Sequence, residues 1–349
     1  MGVWYCTRED VKDAADFAET ARNNRRVDRA IEAASRSIEK LTRRKFYPQT
    51  ATRYFDWPDR NGSRPWRLWL GPDELISITT LTVAGEEIAA SDFFLEPANS
   101  GPPFSRLEVD LASSAAFSAG NTHQRAIEVE GVFGFAEDTE RLGELTAQLA
   151  ADPDATASIS WDTARFGVGD MLKIDDEWMT VTARNMVDTT QSIGAGLDAS
   201  KSDVTVQVSD GTAFAADVVL LVDSERMLVV DVVGNNLTVK RSWDGSVLAA
   251  HTSGADVYTL TGVEISRAAL GTTLAVHASG AEVERLLVPA PVRNLCIAEA
   301  LNQINQETSG YAATVGAGEN AREGGGGGLE GLRADVWAGF GRKVRKAAI

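Results

Sequence analysis

The residues best suited to chemistry occur in matched sets. His251 and His277 each sit in an Ala-X-His-X-Ser-Gly-Ala context, and His123 stands apart from both. Paired imidazoles hold a metal when two units face each other, but a structural or catalytic zinc site draws on a cluster of Cys and His ligands that is not seen around them. The simpler role is a turn held by a hydrogen bond. Asp175-Asp176-Glu177 and Asp223-Ser224-Glu225 offer adjacent carboxylates for acid–base work or calcium. Neither follows the alternating oxygen ligands, central Gly and distal Glu of a calcium-binding loop. A catalytic dyad is seldom needed twice, so the duplication points to hairpin turns. The run Gly324–Gly328 lacks the Gly-Lys-Ser/Thr ending of a phosphate loop. A Gly-X-Ser-X-Gly nucleophile elbow is absent as well. Trp57, Trp66, Trp69, Trp161, Trp178 and Trp243 could build a sugar-binding face, with scattered core or interface packing as the competing reading. The chemistry expected is therefore that of a non-enzyme without cofactor or metal.

The matched sets belong to a nested repeat. Val239–Val257 (VKRSWDGSVLAAHTSGADV) aligns without a gap on Ile265–Val283 (ISRAALGTTLAVHASGAEV). Upstream, Asp162–Val181 aligns on Asp210–Val229, sharing Asp175/Asp223, Glu177/Glu225 and Met179/Met227. The order is first half, first half, second half, second half. One unit, about Asp203–Tyr258, is thus continuous and the other is split around it. The region is rich in Val, Thr, Gly and Asp and poor in helical spacing, which predicts an all-β module.

Helices and strands are expected on either side. Thr7 with Asp10 three residues on marks the start of a helix over Arg8–Ala21. Val27, Ile31, Ala34, Ile38 and Leu41 fall on one helical face, ended by Arg43-Arg44-Lys45 and Pro48. From Thr52 to Val132 the pattern alternates as strands, with Ala84-Gly85-Glu86 as a hairpin turn. Glu140–Ala150 reads as a short helix and Asp152-Pro153-Asp154 as a linker. Val292–Glu307 is expected as a helix with Val292, Leu295, Cys296, Ala300 and Ile304 along one stripe. Tyr311–Gly328 reads as a glycine-rich tether, and Leu329–Ile349 as a last helix weakened by Gly339 and Gly341.

The 349 residues suffice for two or three domains. No apolar run is long enough to span a membrane, and the N-terminus lacks a basic segment followed by an apolar one, as a secretory signal requires. Cys6 and Cys296 give no disulfide framework and read as buried thiols in a reducing compartment. The net charge of −16 argues against a general nucleic-acid binder, although Arg22–Lys45 holds nine basic residues against three acidic ones.

With about 140–287 removed, the flanks join into a basic amphipathic helix ending in Lys45-Phe46-Tyr47-Pro48, a strand set, and Val288-Pro289-Ala290-Pro291-Val292 opening an Ala-rich helix. This order resembles the head–tail connector (adaptor, or head-completion) proteins of long-tailed bacteriophages. The resemblance is carried by Arg29–Ser35 with Ile38-Glu39, Arg43–Phe46, Leu75–Leu81 followed by Gly85, Pro289, and Ala298-Glu299-Ala300. It covers about Val3–Glu137 and Val288–Gln306. It implies an α+β chain: a helical connector core with a small β-rich section (1–139 and 288–310), an inserted module of two nested β units (140–287), a Gly-rich linker (311–328) and a C-terminal portal-docking segment (329–349).

The function implied is that of a structural virion protein. Twelve copies would form a ring in the neck, assembled in the host cytoplasm. That ring would bind the portal and a downstream stopper or tail-terminator protein, and let DNA pass without sequence specificity or membrane contact. The docking residues expected are Leu329, Leu332, Val336, Trp337, Phe340, Arg342, Lys343, Val344, Arg345 and Lys346. Ring closure uses two different surfaces of each subunit, which assigns Arg22, Arg25, Arg26, Arg29 and Arg36 to an inter-subunit face. The alternative is a decoration or host-surface (carbohydrate or receptor) binding protein acting through the duplicated module.

Overall fold

The computed structural model describes residues 2–15, 23–57, 64–154, 156–161, 167–309, 314–315, 322–323 and 327–342. Helix α1 (Arg8–Ala14) begins at a capping box in which Thr7 and Asp10 exchange side-chain and backbone hydrogen bonds. The remainder of the expected Arg8–Ala21 helix, apart from Ala15, lies outside the described residues. Helix α2 (Asn24–Thr42) buries Val27, Ala30, Ile31, Ala34, Ser35 and Ile38, and ends at Arg43 in the left-handed conformation.

Strands β1 (Gln49–Phe55), β2 (Arg67–Trp69), β3 (Leu75–Val83), β4 (Glu86–Glu87), β5 (Phe93–Glu96), β6 (Arg106–Val109) and β7 (Ile127–Phe133) follow. They form two antiparallel sheets ordered β1-β7-β3-β4 and β2-β6-β5. Ala84 and Gly85 both take positive φ between β3 and β4, as a two-residue hairpin turn requires. Alternate residues of the two sheets meet in a core of their own, including Leu68, Leu81, Phe93, Leu107, Ile127, Val129 and Phe133.

The module consists of β8 (Thr139–Leu145), β9 (Thr156–Trp161), β10 (Met171–Ile174), β11 (Glu177–Ser192), β12 (Thr205–Gln207), β13 (Val219–Val222), β14 (Glu225–Val233), β15 (Asn236–Lys240), β16 (Asp256–Ala269) and β17 (Glu282–Leu286). Two long strands, β11 and β16, organise it. The first half of β11 and the last half of β16 pair with each other and close a ring of strands through β10, β17, β8 and β9. The last half of β11 and the first half of β16 belong to a second ring with β13, β14, β15 and β12, which Gly194 N–H ties shut on the Gln207 carbonyl at 2.7 Å. Each ring encloses its own core, one around Leu172, Ile174, Met179 and Val283, the other around Leu220, Val222, Met227 and Val257. The nested repeat is thus two small barrels that exchange the halves of two shared strands.

Helix α3 (Ala290–Thr308) buries the stripe Val292, Leu295, Cys296, Ala300 and Ile304. Short strands β18 (Thr314–Val315) and β19 (Arg322–Glu323) pair, and α4 (Gly327–Phe340) closes the described chain. The helices pack as a layer whose core also takes Val168, Met171, Trp178 and Leu286 from the first barrel.

Two expectations are overturned. The flanks are not a helical core with a small β section: strands dominate the described chain, and the seven flanking strands bury a core separate from that of the helices. Period-two alternation over Thr52–Val132 fills two sheet faces, so the strands need no helical support. Glu140–Ala150 is not a helix, since Thr139–Leu145 pairs as β8 with β17 and β9. Strand pairing on both sides overrides the helix-favouring Glu, Leu and Ala of this stretch.

Candidate functional site

The matched acids and histidines converge with two arginines, Arg241 and Arg267, which the repeat also shares but to which its spacing assigns no role. In the second barrel, β13 and β14 meet at a two-residue turn in which Val222 pairs with Glu225 and Asp223 takes φ 52°. Glu225 then points inward. Arg241 donates to it from Nε at 2.8 Å and Nη2 at 2.9 Å, with both side chains fully buried. The backbone N–H groups of Ser242 and Ala249 donate at 2.8 and 3.0 Å. His251 Nε2 lies 3.0 Å from the same carboxylate, and its Nδ1 lies 2.6 Å from Asp223. Arg241 spends its remaining N–H groups on the carbonyls of Asp198, Asp203 and Ala249.

The first barrel repeats the arrangement. Arg267 grips Glu177 at 2.8 and 2.7 Å, Ala268 and Ala275 N–H donate at 2.8 and 2.9 Å, and His277 bridges Glu177 and Asp175 at 3.0 and 2.7 Å. Equivalent backbone bonds extend the repeat upstream: Leu149 N–H meets the His277 carbonyl and Leu197 N–H the His251 carbonyl, each at 2.9 Å.

Burial works to raise the carboxyl pKa of Glu177 and Glu225, but the arginine, backbone and histidine donors outweigh it and hold both down to about 2. Each glutamate accepts five hydrogen bonds, which uses the capacity of a carboxylate. Each imidazole has a carboxylate oxygen within hydrogen-bond distance of both ring nitrogens, so both nitrogens are engaged inside the protein. Among the described residues no group of three His, Cys, Asp or Glu is arranged to hold a metal ion. A hollow of about 380 Å³ opens beside His277, lined by Thr50, Asp176, Gly271 and Thr273. There Thr50 N–H bonds the Leu270 carbonyl at 2.8 Å, and a Cβ on Gly271 (φ 83°) would strike the Thr50 carbonyl at 2.1 Å. The chemistry of these groups goes into fixing hairpins and joining a barrel to the flanking strands.

The residues expected at interfaces fall in two places. On α4, Val336 is buried, Leu329 and Phe340 pack on the helical core, and Phe340 meets Phe46 and Phe135 edge-on at 5.7 Å. Leu332 and Trp337 project outward, 38% and 43% exposed. Arg342 N–H bonds the Thr42 carbonyl at 3.0 Å and its side chain lies 3.9 Å from Glu74. Lys343, Val344, Arg345 and Lys346 lie outside the described residues, as does Arg22. On α2, Arg25 and Arg29 are exposed. Arg29 reaches Glu307 at 3.7 Å and Arg26 donates to Thr308 at 2.8 Å. Arg36 is tied to its own chain through Glu32, Glu39 and the Val3 carbonyl. No described helix is long and apolar enough to cross a membrane.

Compared with known proteins, the chain matches no family model, no curated protein and no solved structure.

Proposed function

We propose that this chain is a structural adaptor of the head–tail neck of a long-tailed bacteriophage, acting as a ring beneath the portal rather than as an enzyme. The observation that carries the reading is the division of labour on α4. Leu329, Val336 and Phe340 anchor the helix, while Leu332 and Trp337 flank that stripe on its two sides and stay 38% and 43% exposed. Aromatic and aliphatic side chains held out by a fixed helix suit a groove on a partner. A different surface, the exposed cations Arg25 and Arg29 on α2, supplies one of the two unlike faces that a closed ring needs. The twin barrels are acidic, with Asp and Glu outnumbering Lys and Arg about two to one across 140–287, which favours a solvated position outside the channel.

Host-surface binding through the barrels has less support. Trp178 is buried and Lys240 stacks over Trp243 at 4.6 Å, so these two tryptophans present no open aromatic face.

Mass photometry of the purified full chain tests the reading. Closed rings of about twelve 37.4 kDa chains are expected, and a monomer at every concentration up to tens of micromolar would overturn it.

A further inference from the structure

We propose that Cys6 and Cys296 form a redox-active dithiol that hydroperoxides close to a disulfide, pinning the N-terminal segment to α3. The two sulfurs lie 3.3 Å apart, both residues are buried, and 290 positions of chain separate them. Closing to a covalent bond needs an approach of only about 1.3 Å. The surroundings hold the pair in place. Tyr5 N–H donates to Ser35 Oγ at 3.1 Å, which leaves the Ser35 hydroxyl hydrogen free to point at Cys296 Sγ, 3.5 Å away. Tyr5 Oη donates to Glu39 at 2.9 Å and Trp4 Nε1 to Glu32 at 2.7 Å before Cys6, and Arg8 pairs with Asp28 at 2.7 Å after it, so the segment bearing Cys6 is tied to α2 on both sides.

The two thiols differ in a way that suits sequential oxidation. Hydrogen bonds from Cys6 and Ser35 favour the Cys296 thiolate over the effect of burial, and its pKa falls. The hydrogen bond to Cys296, with burial, raises Cys6. Cys6 also lines a cavity of about 50 Å³ with Asp10, Asp170, Arg285 and Arg293, room for a molecule the size of water or hydrogen peroxide. Cys296 does not line it. Peroxide entering there meets Cys6 first. Cys6 Sγ passes its proton along its hydrogen bond to the Cys296 thiolate and, as the thiolate so formed, takes one oxygen; the O–O bond breaks, giving a sulfenic acid and a hydroxide that solvent protonates to water. Cys296 Sγ then attacks Cys6 Sγ; the S–S bond forms, the S–O bond breaks, and hydroxide leaves as water with the remaining thiol proton. Two thiols and one peroxide yield one disulfide and two waters, with two electrons passing to the peroxide. The product links the start of the chain to the helix that packs against both α2 and α4.

The test treats the folded full chain with millimolar hydrogen peroxide, alkylates it in denaturant, and maps the peptides by mass spectrometry. The expected result is loss of both titratable thiols, one linked peptide pair containing Cys6 and Cys296, recovery with dithiothreitol, and a Tm higher by about 5 °C. Cys6→Ser and Cys296→Ser, each checked for native circular dichroism, should give no internal link. Thiols that stay titratable in the folded chain, or that go to sulfinic acid without a linked pair, would overturn the proposal. So would a linked pair that forms only in denaturant.

Discussion

Arg267 grips Glu177 from 90 residues away, whereas Arg241 grips Glu225 from 16 residues away, and the two pairs are geometrically equivalent, with every contact between 2.7 and 2.9 Å. The difference in span measures the nesting. A local hairpin pair in the continuous barrel becomes a closure across the entire inserted unit in the split one. The same ion pair therefore serves the fold at two scales.

Removing one partner should leave a buried charge without its counter-ion. Arg241→Met and Arg267→Met are each expected to cost about 3–5 kcal/mol, whereas replacing both members, as in Glu225→Leu with Arg241→Met, should cost distinctly less. Urea denaturation monitored by tryptophan fluorescence reads this directly. Single substitutions costing under about 1 kcal/mol would show that the pairs are incidental.

The acid side of the stability curve follows from the same glutamates. Their folded pKa of about 2 lies below the ordinary 4.5, so the unfolded chain binds more protons between those values. Their stabilisation is complete above about pH 4.5 and is lost as pH falls through about 2. Asp170 has the opposite sign. Burial, only partly offset by Arg285, raises it from 3.8 to about 6. Its contribution is full below pH 3.8 and is lost as pH rises through about 6. Asp170→Asn should flatten the slope between those values and leave the acid limb unchanged, as thermal melts across pH would record.

How far the sequence reached is clearest at these positions. Glu177, Arg267, His277 and Asp175 all stand out as repeat-shared residues, and the hairpin role of the acids is legible from their spacing. Their meeting in one network is not, because Glu177 and Arg267 are distant in sequence and only the pairing of β11 with β16 joins them. The stripes of α2 and α3 are readable because a 3.6-residue period over nineteen residues leaves little ambiguity. β8 is misread because its helix-favouring composition says nothing of the strands that flank it. The weight given to helices in the flanks fails for a related reason: short strands carry a weak signal one at a time and bury a core only together.

On α4, the anchoring and the exposed side chains should separate under mutation. Trp337→Ala and Leu332→Asp are expected to change stability by less than about 0.5 kcal/mol while abolishing attachment to phage heads that expose the portal. Val336→Asp should instead detach the helix or unfold the helical layer, since it places a charge among Phe46, Leu295 and their neighbours. Head pull-down with each purified variant, beside its melting curve, distinguishes docking from folding. Full attachment by the Trp337 and Leu332 variants would remove α4 as the docking element.

Charge reversal at Arg25 and Arg29 should block ring closure without altering the monomer, because Arg25 is exposed and Arg29 makes only a 3.7 Å ion pair with Glu307. Arg36→Glu should also destabilise the monomer, since that side chain holds the Val3 carbonyl and Glu39. Mass photometry together with melting curves separates the two effects. Unchanged ring mass in the Arg25 and Arg29 variants would exclude this face from the interface.

The most direct measurement is electron microscopy of tailed particles carrying this chain, labelled with an antibody against the twin-barrel module. The adaptor account predicts label at the head–tail junction and a ring of rotational symmetry beneath the portal, with the barrels projecting outward. Label on the capsid surface or the tail fibres, or its absence from purified particles, would contradict it.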